Sequence, residues 1–417
     1  MQSIKTLYKI GYGPSSSHTM GPANAAKYFK KHYPEADAFI VTLYGSLALT
    51  GKGHLTDQAI MHTLAPIKTT INWNTVDTTI EHPNTMDLTA YLDGKIIGSI
   101  RIFSIGGGNI KIKGEEKIKA SLVKMYKESS TKQILEMCRN KHMSLVDYVR
   151  TNENEAFWNH LKRVWKIMQQ SINIGLKQTS VIPGKLKLKR RAKILYEAPE
   201  KKITRVHMDK ARNHLMAYAY AVCEMNASGG MIVTAPTCGA CGILPATLRY
   251  SQELLKLTDN KIIKGLSVAG LVGNIARTNG SISGAEAGCQ AEVGVACAMA
   301  AAAFAYFLKL SNKQIFDAAA SALEHHLGLT CDPVLGYVQI PCIERNGLAA
   351  GRAIDAADLI SLSSDHRKLN FDDIIATMLE TGKALNAGYR ETSTAGLADI
   401  YNKKNDKFKK KFDIKIS

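Results

Sequence analysis

The chain has 417 residues, 45% of them hydrophobic and 22% charged, enough to bury a sizeable core in two or three domains and too apolar for disorder to dominate. A formal charge of +18 raises an anionic partner, but the densest basic runs, Lys185–Lys193 and Lys403–Lys415, interleave no aromatics for base stacking, so a solvated basic surface is expected and no specific nucleic acid. The N-terminus shows no signal-peptide pattern and the longest apolar run, Val293–Leu308, is shorter than a membrane span; a cytosolic chain with no membrane partner is expected, its eight cysteines serving as core residues, ligands or nucleophiles rather than disulfides.

The first motif, Gly13 to Pro22, places the hydroxyls of Ser15, Ser16, Ser17 and Thr19 and the imidazole of His18 between Gly/Pro turn signals. If it opens a helix, hydroxyls and free N–H groups suit a small anion; the plainer alternative is a helix cap with a polar first turn. A strand-like run, AFIVTLYGSLAL, then leads into a glycine-rich loop carrying Lys52, His54 and Asp57. That loop is no phosphate-binding P-loop, because no Ser or Thr follows the lysine. TINWNTV is a further strand, His82-Pro83-Asn84 a further polar group, and LTAYLDGKIIGSIRIFSIGGGNI two strands about a Gly-Lys turn, ending in a Gly106–Gly108 nest able to bind an anion. Each has a bland reading as a turn. Together, residues 1–114 read as an α+β domain.

From Glu115 the pattern becomes helical, beginning with EEKIKASLVKMYKESSTKQILEMC and NEAFWNHLKRVWKIMQQSINIGL, so that 115–417 reads as an all-α domain. A loop at Ile182-Pro183-Gly184 and its basic continuation read as an exposed crossing, and the Lys-rich tail as mobile.

Ser283 precedes Glu286 by three residues, a capping-box spacing that would put Cys289 in the first turns of the following apolar helix, where a thiolate is favoured. Cys297, eight residues on, lies about 12 Å along that helix and reads as core. Prolines flank Cys331 and Cys342 and keep both on loops able to present a thiolate. Cys289, Cys331 and Cys342 are therefore able to meet at one metal centre, although their spacing matches neither a ferredoxin run nor a zinc pair of pairs. Cys238 and Cys241 form a lone C-x-x-C best read as close helix packing, and Cys138 and Cys223 read as core.

Through GPSSSHTMGP, YGSLALTGKGHLTD, HPNTM, TAPTCGACGILPA, SISGAEAGCQAEVG, GLTCDPVLGYVQIPCIERN and YRETSTAGLA, the chain resembles the single-chain bacterial iron–sulfur L-serine dehydratases over nearly its whole length. The resemblance implies a [4Fe-4S] cluster held by Cys289, Cys331 and Cys342 with one iron open to L-serine. It also implies an α+β domain supplying polar substrate contacts, a helical domain carrying the cluster, and a homodimer. Some members carry a terminal cysteine that folds back into the site, which this chain lacks after Cys342. Some carry an extra amino-acid-binding domain of the ACT type; the Glu115–Ile182 span is too short for one, and none is expected. Many members have Asn and Ala where this chain has Cys238 and Cys241, which argues against cluster ligation by this pair.

Water loss from serine removes a weakly acidic Cα proton and a poor leaving group, so an open iron acts as a Lewis acid and a base of near-neutral pKa takes the proton. His54 and His18 are the candidate bases and His82 a third. Ser15, Ser16, Ser17, Thr19, Lys52, His82 and Asn84 are candidate substrate contacts. The rivals are a cysteine desulfidase of similar architecture, a pyridoxal-phosphate enzyme, for which no Schiff-base lysine motif is found, and a cluster-bearing sensor or nucleic-acid binder.

Overall fold

A computed structural model describes residues 1–77, 80–114, 124–198, 210–363 and 367–411. Its N-terminal part is a five-stranded sheet in the order β3-β2-β4-β5-β6, from β2 (Ala38–Tyr44), β3 (Lys68–Asn74), β4 (Thr85–Leu92), β5 (Lys95–Ser104) and β6 (Ile110–Ile112); β2 and β3 are parallel and every other neighbour is antiparallel. Every second residue of β2 is buried, the period-two pattern that lets Phe39, Val41 and Leu43 face the core while their neighbours stay half-covered. Helices α1 (Gly21–His32) and α3 (Thr56–Leu64) pack beside this sheet, and a short α2 (Gly45–Thr50) follows β2. The GSLAL end of the strand-like run is therefore helix: Gly45, at φ 52°, turns the chain out of the strand. The β4–β5 hairpin turns on Asp93-Gly94, both at positive φ, one residue earlier than the Gly-Lys turn read from sequence.

The remainder is helical: α4 (Thr131–Asn140), α5 (Leu145–Asn152), α6 (Glu155–Lys177), α7 (Ala192–Tyr196), α8 (Lys210–Ala227), α9 (Ile243–Leu254), α10 (Asp259–Asn279), α11 (Gly284–Ala287), α12 (Val295–Phe307), α13 (Asn312–Glu324), α14 (Cys342–Ser363), α15 (Phe371–Ala384) and α16 (Gly396–Lys411). In α6 the Asn154 side chain accepts from the Phe157 N–H, and Phe157, Leu161, Val164, Trp165, Met168 and Ile172 recur at helical spacing on the buried stripe. Alanine-rich α12 is enclosed by α9, α10, α13 and α14, where its small side chains allow close approach. The stretch Gln290–Phe307 is long and apolar enough to cross a membrane, yet 94% of it is buried inside the fold.

The helix read from Glu115 onward lies outside the described residues as far as 123, and the chain becomes helical at Thr131. In the Lys-rich tail, Lys403–Lys411 continues α16, and the rest lies outside the described residues. Between 124 and Ile182 the described residues contain helices and one isolated bridge residue, Val181, but no strand.

One element crosses between the two parts. β1 (Ile10–Tyr12) pairs antiparallel with β7 (Met231–Val233), the one strand described within the helical part. Met1, Ile4, Leu7 and Tyr8 are buried in the helical core. Gly270 and Gly273 of α10 leave room for them, since a Cβ at either would lie 2.3 Å from Ile4 and 2.7 Å from Leu7 respectively. This seating aims the polar motif that begins at Ser15 into the seam between sheet and helices.

Candidate active site

Ser15 caps a π-helical turn, Ser16–Met20, that runs directly into α1. Wide turns of this kind recur at functional positions. The turn holds His18 fully buried, its Nδ1 2.8 Å from Ser17 Oγ and its Nε2 2.9 Å from Ser46 Oγ on α2. Ser46 donates its own hydroxyl proton to the Glu391 carbonyl oxygen at 2.6 Å, so it accepts from His18 Nε2–H, which leaves Nδ1 to accept from Ser17.

His54 lies in the loop between α2 and α3, with Nδ1 3.0 Å from the Thr50 carbonyl oxygen. Carbonyls only accept, so Nδ1 carries the proton and Nε2 keeps its lone pair. The two imidazoles stand 4.5 Å apart. Cross-bonds fix both: Thr19 Oγ donates to the His54 carbonyl at 2.7 Å and Thr56 Oγ to the His18 carbonyl at 2.5 Å. Burial lowers the pKa of both rings, that of His54 to about 4 and that of His18 well below its ordinary value with help from His54, so both are neutral near pH 7.

The helical part supplies the other wall. Cys289 directly precedes a second π-helical turn, Gln290–Gly294, that opens into α12. The Ser283–Glu286 capping box does not form: α11 is a single turn ended by Gly288 at φ 72°, and Glu286 accepts instead from Ser281 Oγ at 2.5 Å. Cys331 sits on an extended loop, its N–H donating to the Tyr389 carbonyl. Cys342 is the first residue of α14 rather than part of a loop; Pro341 before it needs no N–H and so is compatible with the helix start.

All three cysteines line one cavity with Ser15, His54, Gly239, Glu292 and Glu391. Cys289 and then burial push the Cys331 thiol up; burial and then Cys289 push Cys342 up. Burial, then Glu292 and Cys289, push the Glu391 carboxyl well up. Burial opposes the charge of Arg345, but Cys289, Cys342, Cys331 and Asp332 face it and leave its pKa raised. The cavity thus gathers thiols and carboxyls in excess of cations, and one carboxyl oxygen, Glu391 Oε2, is buried with no hydrogen-bond partner. Among the described residues no three His, Cys, Asp or Glu side chains converge on a single-ion site. Three thiols spread around one cavity suit a cluster of several irons, each taking one thiolate.

Ser15, Ser17, His18, Thr19, His54 and the three cysteines therefore come together, and Ser16 is buried within the same turn. Lys52 does not join them: it is exposed, its ammonium 5.5 Å from the centre of the Trp73 ring. His82 and Asn84 are not among the residues that line the cavity. His82 Nδ1 accepts from the Asn84 N–H, its Nε2 lies 3.8 Å from Glu286, and Asn84 Nδ2 donates to the Ser104 carbonyl. The Gly106–Gly108 loop packs against Ile282 and Ser283, and the Gly108 carbonyl accepts from Asn24, so it serves the seam between the two parts. Cys297 is core, its thiol donating to the Ala349 carbonyl, and Cys238 and Cys241 are buried in packing contacts.

Sequence reasoning did not single out Glu391, Glu292 or Ser46. Glu292 accepts from the Gly284 N–H at 3.1 Å and from Thr237 Oγ at 2.6 Å. Glu391 Oε1 lies 3.3 Å from His18 Nδ1 and 3.8 Å from His54 Nε2. The available signal was a lone carboxylate inside a matched motif otherwise rich in hydroxyl and small residues, YRETSTAGLA.

Paired neutral imidazoles face buried thiols and carboxyls across the seam between the two parts, an arrangement suited to an enzyme that moves a proton. Residues 112–398 match the serine dehydratase alpha chain and residues 3–69 the serine dehydratase beta chain, so the chain belongs to the serine dehydratase family with both parts in one polypeptide. It is 39% identical to L-serine dehydratase 2 of Escherichia coli (strain K12), over 95% of this chain and 98% of that one. It is 38% identical to L-serine dehydratase of Haemophilus influenzae (95% and 99% covered) and 36% identical to that of Helicobacter pylori strain J99 (95% and 98%).

Proposed function

We propose that the chain is a cytosolic, iron–sulfur-dependent L-serine dehydratase that forms pyruvate and ammonia and works as a homodimer. The observation that carries this reading is the single cavity in which Cys289, Cys331 and Cys342 face His54 and Ser15. The names of the relatives supply the substrate, and eight free cysteines suit a reducing compartment.

Cys289, Cys331 and Cys342 would hold the [4Fe-4S] cluster, which supplies Lewis acidity for departure of the serine hydroxyl when bound. His54 takes the Cα proton on Nε2, because the Thr50 carbonyl fixes its other nitrogen as the protonated one and burial keeps the ring neutral, although the same burial holds its pKa at about 4, below the near-neutral value expected of the base. His18, pinned through Ser17 and Ser46, packs against His54 and holds its ring in place. Ser15 presents a hydroxyl to the cavity, while Thr19 holds the His54 backbone. Burial of Ser15, His54 and Glu391 in the seam between the sheet part and the helices limits water around the reacting carbon. The aminoacrylate product tautomerises and hydrolyses in solution without further help from the protein.

Anaerobic reconstitution with iron and sulfide followed by a pyruvate assay, with L-serine and L-cysteine compared, is the test. Cys331→Ala is expected to abolish both visible absorbance and pyruvate formation, and retained activity would sink the cluster assignment. His54→Ala is expected to keep the absorbance and lose about 100- to 10,000-fold in turnover.

A further inference from the structure

We propose that Glu391 reads the substrate's α-ammonium group and so restricts the site to amino acids; this rests on the dehydratase reading above. Serine brings a carboxylate, a hydroxyl and an ammonium into the cavity, and the ammonium needs a buried acceptor with a free lone pair. Both oxygens of Glu292 are already engaged, Oε1 by the Gly284 N–H and Oε2 by Thr237. Ser15 Oγ already accepts from the His18 N–H. Glu391 Oε2, on a residue only 4% exposed, makes no direct hydrogen bond, although the Ala285 N–H and the Ser17 hydroxyl lie near the carboxyl.

That oxygen is placed where the chemistry needs it. A Cβ built on Gly284 would stand 3.1 Å from Cys331 Sγ and 3.4 Å from Glu391 Oε2, so the free oxygen and a cluster cysteine border the same small space. The other carboxyl oxygen lies 3.8 Å from the unprotonated nitrogen of His54. An ammonium bound to the Glu391 carboxyl therefore sets the adjoining Cα–H beside the base, and the hydroxyl, one carbon further, toward the cysteines.

The backbone is forced to hold this position. Glu391 sits at φ 59°, a conformation costly for a residue with a Cβ. It is held there by its N–H donating to the Cys331 carbonyl at 2.7 Å and by its carbonyl accepting from Ser46 at 2.6 Å. Strain maintained by contacts from both parts of the fold, around a side chain with one idle oxygen, marks a residue placed for a ligand.

The test measures L-serine and 3-hydroxypropanoate, which is serine without its amino group, on reconstituted wild-type, Glu391→Gln and Glu391→Asp proteins. Equilibrium binding and steady-state turnover are both read, with visible absorbance confirming equal cluster content. Glu391→Gln is expected to weaken L-serine binding by about 10- to 100-fold while 3-hydroxypropanoate changes less than about threefold, with Glu391→Asp between wild type and Gln. Equal weakening of both ligands, or unchanged L-serine binding, overturns the assignment. If Glu391→Gln fails to take up the cluster, the Asp variant decides by the same ratio. Wild type that makes no pyruvate yet binds L-serine through Glu391 sinks the dehydratase reading alone, whereas wild type that binds no L-serine sinks this one.

Discussion

Ser46→Ala tests the network that ties the α+β part to the helical part through one hydroxyl. Ser46 donates to the Glu391 carbonyl at 2.6 Å and accepts from His18 Nε2 at 2.9 Å, and it is buried. Without the hydroxyl, the Glu391 carbonyl is left unpaired, at a cost of about 1–3 kcal/mol. The ring escapes part of its own loss by moving its proton to Nδ1, where Ser17 Oγ at 2.8 Å and Glu391 Oε1 at 3.3 Å can accept it. The sum is a destabilisation of about 2 kcal/mol rather than twice that. Urea unfolding followed by fluorescence of Trp73 in the sheet and Trp158 and Trp165 in α6 is expected to show both regions losing stability together. Turnover should fall about tenfold, because Glu391 and His18 lose their shared anchor. A variant within about 0.5 kcal/mol of wild type would falsify the claim that this hydroxyl bridges the two parts.

Other outcomes follow from the same geometry. Gly284→Ala pushes a methyl to 2.5 Å from Glu292 Oε1 and 3.1 Å from Cys331 Sγ, so visible absorbance per chain after reconstitution should drop severalfold; wild-type absorbance would show that the cavity has room to spare. Lys52→Met should leave turnover unchanged, as the exposed ammonium lies over Trp73, and a large loss of kcat would return Lys52 to the site. His326 is buried, and burial holds its pKa at about 4 against an ordinary 6.5. The unfolded chain therefore takes up a proton that the folded chain refuses, stability is lost as pH falls from 6.5 toward 4, and His326→Gln should remove up to about 3 kcal/mol of that loss in urea titrations at several pH values.

Much of the architecture was written in local pattern. The alternation in β2 and the apolar stripe of α6 each name their element and its inward face without tertiary help. The polar turn before α1 was legible through matched motifs, and so was the grouping of Cys289, Cys331 and Cys342, which the fold brings to one cavity. What stayed hidden depends on which way a loop faces. Lys52 and His54 are two residues apart on one glycine-rich loop, yet one stacks on Trp73 in solvent and the other is buried against His18. Glu391 escaped for a related reason: its position depends on a backbone hydrogen bond from its N–H to the distant Cys331 carbonyl and on a backbone angle that no propensity favours. The capping box at Ser283 failed because Gly288 ends that turn before a helix can grow from it.

The pairing of β1 with β7 bears on the order in which the molecule assembles. Residues Ile10–Tyr12 have no strand partner until Met231–Val233 has been synthesised, so the segment leading into Ser15 waits through the whole making of the sheet and of α4 to α8. The hydrogen bonds that join Cys331 to Tyr389 and Glu391 form later still, once those residues have been made. The cavity is consequently complete only once segments from both ends of the chain, Ser15 and Glu391 among them, have come together.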